Sequence, residues 1–217
     1  MIRGVIFDLD GVLVSTDELH YRAWKQLADA EGIPFDRTIN HRLRGVSRMA
    51  SLEILLERAS RAYSAAEKSA MADRKNAAYR ESLETLTPAD ALPGARELLD
   101  GLRVRGIKMA IASSSRNTPQ ILERLGWSGT FDAVADGNDI THSKPDPEVF
   151  LLAARRIGLP PADCLVVEDA AAGIEGARRA GMAVLGIGTP ETLPGVKWMA
   201  SDLTHVTADE LLAAAGS

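Results

Sequence analysis

The run GVIFDLDGVL, residues 4 to 13, sends four mostly apolar residues straight into Asp8 and Asp10, with one leucine between the two acids. Four more short apolar runs follow: IKMAIAS from Ile107, FDAVAD from Phe131, CLVVED from Cys164 and AVLGIG from Ala183. Runs this short that do not alternate with polar residues are the pattern of strands buried on both faces. Amphipathic helical patterns separate them, and the punctuation agrees. Pro93 and Gly94 precede ARELLDGLRVRG, Asp146 and Pro147 stand as caps before EVFLLAARRIG, and Gly106, Gly126, Gly158 and Gly181 occupy positions where left-handed C-terminal residues belong. The rhythm is βαβ, and it predicts an α/β fold built on a doubly wound parallel sheet with right-handed crossovers.

From about Thr16 to Leu92 the rhythm breaks, giving roughly four helical segments and no convincing strand. This stretch reads as an inserted helical domain, residues 16–92, within an α/β core of residues 1–15 and 93–217. Ser15 with Glu18, and Ser64 with Glu67, have the capping-box spacing at two helix starts, and His20, Trp24 and Leu27 share one helical face. The junctions fall near Val14 to Ser15 and Pro88 to Pro93, the second rich in proline and alanine.

At 217 residues the chain is long enough to bury a sizeable core, and its 46% apolar and 25% charged residues are ordinary for a globular protein. A net charge of -5 argues against a nucleic-acid or anionic-membrane surface. The single cysteine, Cys164, excludes a disulfide framework and a thiolate zinc site. No apolar stretch approaches the roughly 20 residues of a membrane span, and no signal-peptide pattern opens the chain. A cytoplasmic monomer acting on small molecules, without nucleic-acid or membrane partners, is expected.

In an open α/β sheet, ligands bind beyond the carboxyl ends of the strands, where the strand order reverses. Asp8 and Asp10 lie at such an end, as do Glu168 and Asp169 after CLVV and Ser113, Ser114 and Ser115 after IKMAIA, while Lys144 sits in the loop THSKPDP. Crowded carboxylates repel and shift upward in pKa unless a cation is present. Mg²⁺ takes oxygen ligands and answers that need. Asp8 then suits nucleophilic attack on phosphorus, Asp10, two residues on, suits proton exchange with the leaving or attacking hydroxyl, and Lys144 with Ser113 suits charge balance on the phosphoryl oxygens. Each feature alone has a plainer reading: a D-x-D is commonly a turn or cap, Glu168 and Asp169 precede a helix they could cap, and a lysine before proline is commonly solvated. Their joint occurrence at successive strand ends outweighs those readings.

The signatures DLDGVL, ASSS, SKPDP and VVEDAAAGIEGARRAGM resemble those of the haloacid dehalogenase-like phosphotransferases. The helical insertion is similar to the cap of the subgroup that contains β-phosphoglucomutase, through DELHYRAWKQLA, RGVSRMASLEILL, DRKNAAYRESL and TPADALPGARELL. The resemblance covers almost the full chain and implies a Rossmann-like core under a helical cap. It implies Asp8 as nucleophile, Asp10 as general acid and base, and one Mg²⁺ held by Asp8, the Asp10 backbone carbonyl and Asp169, with Glu168 in or near its shell. Ser113 and Lys144 would orient the transferring group. Arg48, in GVSR with Ser47, would clamp the far phosphate of a sugar bisphosphate, matched from the core by Ser115, Arg116 and Asn117. Gly45 and Val46 would let backbone approach the sugar, His20 and Lys75 would couple closure to catalysis, Trp24 would pack beside the ring, and Ser51 and Ser114 would complete the substrate site.

The activity so implied is interconversion of β-D-glucose 1-phosphate and β-D-glucose 6-phosphate through β-D-glucose 1,6-bisphosphate, which also serves as activator. A sugar or polyol phosphatase on the same machinery is the alternative, with water as acceptor. A dehalogenase needs neither Asp10 nor the acidic pair, and a phosphate-carrying receiver module has no use for the long insertion. Two positions depart from the subgroup: Ser15 stands where an aspartate is common, and Arg116 replaces a lysine while keeping its charge.

Overall fold

The computed structural model describes residues 1–43 and 46–214. In chain order it runs β1 (Gly4–Phe7), α1 (Asp17–Glu31), α2 (Arg37–His41), α3 (Arg48–Leu56), α4 (Ala65–Leu83), α5 (Ala95–Val104), β2 (Lys108–Ala112), α6 (Thr118–Arg124), β3 (Ala133–Ala135), α7 (Glu148–Arg156), β4 (Cys164–Glu168), α8 (Ala171–Arg179), β5 (Ala183–Ile187), β6 (Met199–Ala200) and α9 (Ala208–Ala214). The strands form one sheet in the order β3-β2-β1-β4-β5-β6, every neighbouring pair parallel. The five apolar runs become β1 to β5. The sixth strand is two residues long and offers no run to read.

Alternation along β1 divides the core. Val5 and Phe7 face one apolar cluster with Leu98, Leu102 and Leu211, while Ile6 faces another with Val149, Phe150 and Ala177, so helices cover both faces of the sheet. Gly106, Gly126, Gly158 and Gly181 all take positive φ, the conformation expected of them after their helices.

The helices between β1 and α5 bury a third cluster of their own, including Trp24, Leu27, Phe35, Leu52, Leu55 and Met71. Tyr79 and Leu83 on the last turns of α4 instead join the cluster under the sheet, so α4 is anchored at that end. The chain leaves and re-enters the sheet region on paired segments, with Leu92 N–H donating to Leu13 O at 2.9 Å and Val14 bridging Ala91.

One cap assignment needs correction. Ser15 does not cap α1: Thr16 holds the N-cap position and its hydroxyl donates to the half-buried Asp10 carboxylate, a stronger, charge-assisted bond than a neutral cap would make. At α7 the caps form as read: Pro147 is the N-cap residue and Asp146 accepts from Glu148 N–H at 2.9 Å. At α4 the box forms as read: Ser64 Oγ accepts from Glu67 N–H and Glu67 accepts from Ser64 N–H. Among the described residues no helix is long and apolar enough to cross a membrane.

Leu55 is fully buried at the centre of the helical cluster. Leu55→Ala is expected to cost about 2–5 kcal/mol, transfer and cavity terms together. Urea unfolding followed by circular dichroism measures it, and an unmoved midpoint would show that this cluster contributes little.

Candidate active site

The strand order reverses between β1 and β4, and the register there decides what meets what. Phe7 pairs with Val167, and Asp8 N–H donates to Val167 O at 2.9 Å, so Asp8 leaves its strand beside Glu168 and Asp169. Lys144 reaches them from the loop between β3 and α7. Its ammonium donates to Asp8 Oδ1 at 2.5 Å and Glu168 Oε2 at 2.8 Å, with the side chain 2% exposed. Burial opposes that charge, but Asp8 and Glu168 outweigh it and hold the Lys144 pKa above its usual value.

Glycines make room for this cluster. Gly11 has φ +97°, and a Cβ there would lie 2.1 Å from Asp169 Oδ2; a Cβ on Gly173 would lie 2.0 Å from Glu168 Oε2. Glu168 is further fixed by Ala170 N–H, which donates to its Oε1 at 3.1 Å.

Oxygens of Asp8, Glu168 and Asp169 all lie within 4.8 Å of one another. Burial first, then the neighbouring negative charges, push the Glu168 and Asp169 pKa values upward. Asp169 has no hydrogen-bond partner among the described residues, so Lys144 alone leaves the group short of positive charge. Three hard oxygen donors, crowded and under-compensated, fit Mg²⁺. The Asp10 carboxylate lies outside that trio, which leaves its backbone carbonyl as its only candidate ligand.

Above the strand ends opens a cleft of about 840 Å³, floored by the sheet and roofed by α1, α3 and α4. It gathers Asp8, Asp10, Ser113, Ser114, Lys144, Glu168 and Asp169 from the core side with His20, Trp24, Val46, Ser47, Arg48, Ser51 and Lys75 from the helices. Ser115, Arg116 and Asn117 line the same space. Gly45 lies outside the described residues.

Asp10 is held by Thr16, whose N–H donates to Oδ1 and whose hydroxyl donates to Oδ2, both at 2.6 Å; the Tyr79 hydroxyl lies 2.9 Å from Thr16 Oγ1. Burial pushes the Asp10 pKa up to about 6, against those two bonds and with help from Asp8 and Asp17. His20 Nε2 stands 4.0 Å from Asp10 Oδ2, its ring stacked on Tyr79 at 3.9 Å, and Lys75 Nζ lies 2.7 Å from His20 Nδ1. With Lys75 donating to Nδ1, the remaining proton of the neutral ring sits on Nε2, facing Asp10. Burial, then Lys75 and Arg48, hold the His20 pKa well below its usual value. Burial, then Arg48, lowers Lys75 to about 7, with Asp10 opposing. Trp24 is buried in the cleft wall, and the Lys75 side-chain nitrogen stands over its ring at 4.8 Å.

At the far end Ser47 caps α3, its Oγ accepting from Ala50 N–H, and thereby orients Arg48, the first residue of that helix. Arg48 is half-buried; burial and Arg116 depress its pKa, while Asp73 opposes them. Arg116 Nε donates to Gly137 O at 3.1 Å, and Ser115 N–H to Ser113 Oγ at 3.2 Å. Sequence reasoning passes over Tyr79 and Asn76, which line or support this cleft. Their signal is the spacing from Ala72 and Lys75, which puts them one turn along the cleft-facing side of α4.

Residues 2–181 match the family model described as haloacid dehalogenase-like hydrolase. The chain belongs to that family. Within the haloacid dehalogenase-like hydrolases it is 45% identical over 212 residues to β-phosphoglucomutase of Bacillus subtilis, covering 97% of this chain and 94% of that protein. It is 33% identical to a phosphorylated carbohydrates phosphatase of Thermotoga maritima, over 83% of this chain and 82% of the relative. The crystal structure of β-phosphoglucomutase from Clostridium difficile superposes at TM-score 0.95 with 36% identity, covering 100% of this chain and 98% of that one. The six-stranded parallel sheet with helices on both faces is thus the family's haloacid dehalogenase-like core.

Glu168 and Asp169 hold protons more tightly in the fold than in the unfolded chain, so their contribution to stability is complete at low pH and is lost as pH rises through their elevated folded values. A cation replaces those protons. Mg²⁺ is therefore expected to raise the melting temperature more at about pH 8 than at about pH 5.5, and Asp169→Asn to flatten that difference. Scanning calorimetry checks it; an equal rise at both pH values would contradict the assignment.

Proposed function

We infer that the chain is a phosphomutase that interconverts β-D-glucose 1-phosphate and β-D-glucose 6-phosphate, passing through β-D-glucose 1,6-bisphosphate and a phosphoryl group carried on Asp8. The observation that carries this reading is a single cleft with two cationic ends, Lys144 beside Asp8 at one and Arg48 with Arg116 at the other. A phosphatase needs to grip the phosphate it cleaves. A mutase must hold two phosphates at once and then exchange them, which two such ends allow. The extent of the likeness to two β-phosphoglucomutases supports the same reading.

In the forward direction Asp8 carries the phosphoryl group and the substrate 6-hydroxyl attacks it. Asp10 takes the hydroxyl proton as the new O–P bond forms and the bond to Asp8 breaks. The bisphosphate then turns end for end. Asp8 attacks the 1-phosphate, Asp10 returns its proton to the departing C1 oxygen, and β-glucose 6-phosphate leaves. A pKa of about 6 lets Asp10 serve in both directions near neutral pH. Lys144 and Ser113 balance charge on the phosphoryl oxygens. Mg²⁺, held by Asp8, Asp169 and the Asp10 carbonyl with Glu168 beside them, would supply further positive charge to the phosphoryl oxygens and keep Asp8 ionised.

The helical stretch 16–92 acts as a roof that moves over the core of residues 1–15 and 93–217, admitting sugar and excluding water from the phosphorylated Asp8. Thr16, at the start of the roof, grips Asp10, so roof position and proton transfer are linked through one residue.

The test is to supply β-glucose 1-phosphate, a trace of the 1,6-bisphosphate and Mg²⁺, and follow glucose 6-phosphate and orthophosphate together. Isomer without orthophosphate is expected; mostly orthophosphate would replace this reading with the phosphatase. Asp8→Asn is expected to abolish both products. Arg48→Ala should damage mutase cycling more than any slow hydrolysis, since the far grip is lost while the reacting end survives, and equal losses would count against its role.

A further inference from the structure

The far end of the cleft is assembled from two separate stretches of chain. Arg48 begins α3 in the roof, and Asn117 stands at the N-cap of α6 in the core. One atom joins them. Asn76 Oδ1, on α4, accepts from Arg48 Nη2 at 2.7 Å and from Asn117 Nδ2 at 2.9 Å. A carboxamide oxygen has two lone pairs, and these two bonds fill them; each donor keeps further N–H groups, since a guanidinium has five and a carboxamide two. Asn76 therefore fixes both side chains while leaving them donors to offer.

The choice of amide over carboxylate at this position is informative. With Arg116 also near Arg48, a negative side chain would be the stronger partner for these donors. It would also cancel the positive charge that an anion requires. A neutral acceptor orients the donors and leaves the charge in place. The arrangement is supported along the seam between α4 and α6, where Arg80 donates to Gln120 Oε1 at 3.2 Å, Gln120 donates to Glu84 Oε1 at 2.7 Å, and Arg124 pairs with Glu84. Asn76 is the end of that polar seam nearest the cleft.

We propose that Asn76 is a positioning residue for the far phosphate: it ties Arg48 of the roof to Asn117 of the core and presents them together to the arriving anion. This rests on the reading, given above, that the far end of the cleft grips a sugar phosphate. Asn76 itself need not touch the ligand.

The test uses the full chain with Mg²⁺, in wild-type, Asn76→Ala and Asn76→Asp forms. Glucose 6-phosphate binding is measured by calorimetry, and KM and kcat are measured for β-glucose 1-phosphate with the bisphosphate present. For Asn76→Ala, affinity is expected to weaken and KM to rise about tenfold, as for loss of a hydrogen bond to a charged group, while kcat changes less than about threefold. The melting temperature should hold, because alanine suits a half-buried helix position. Asn76→Asp keeps both acceptor bonds yet repels phosphate, so its affinity should fall at least as far, and the deficit should shrink as salt is raised. Wild-type affinity in Asn76→Ala, or in Asn76→Asp at low salt, would overturn the proposal. Wild-type protein whose glucose 6-phosphate affinity depends on Asn76 but which forms no isomer would sink the mutase reading and leave this one standing; wild-type protein that binds no glucose 6-phosphate would overturn both.

Discussion

The structure turns on one buried ammonium. Lys144 sits between Asp8 and Glu168 at the carboxyl ends of neighbouring parallel strands, and without it the sheet would end in uncompensated negative charge. A buried ion is costly unless paired and hydrogen-bonded, and here one cation is shared by two anions with a third close by. That imbalance is the functional content of the site. It creates a standing demand for a second cation, and the bond from Lys144 keeps Asp8 in place at the floor of the cleft.

The helical roof sets a different balance. Around Asp10 the protein collects Thr16, Tyr79, His20 and Lys75, groups that are neutral or titrate near neutrality in this setting. Burial moves Asp10 up and Lys75 down, so a carboxyl and an amine converge on the same pH range from opposite sides. At the two ends of the cleft stand cations, the buried Lys144 at one and Arg48 with Arg116 at the other.

Much of this was legible in the sequence, for physical reasons. Strands buried on both faces must be apolar throughout, so β1 to β5 announced themselves, and residues placed just beyond them had to converge wherever the order reversed. Asp8, Asp10, Glu168 and Asp169 were legible for that reason, and Lys144 through its resemblance motif. The two-residue β6 left no pattern. The first cap was misread by one position because Ser15 and Thr16 both carry a hydroxyl, and only the fold reveals that Thr16 has a carboxylate to satisfy. Asn76 and Tyr79 were missed because a helix face lining a polar cleft resembles solvent-exposed surface at one position and core at another. Periodicity finds faces but not what stands opposite them.

The most direct measurement of the central claim is the site of phosphorylation. Protein mixed with β-glucose 1,6-bisphosphate, quenched in acid within milliseconds to seconds, digested and analysed by mass spectrometry should yield a phosphorylated peptide carrying the modification at Asp8. The modification should appear with Mg²⁺ present and be absent after chelation. Phosphate on any other residue, or unchanged labelling of Asp8 in the chelated protein, would contradict the account.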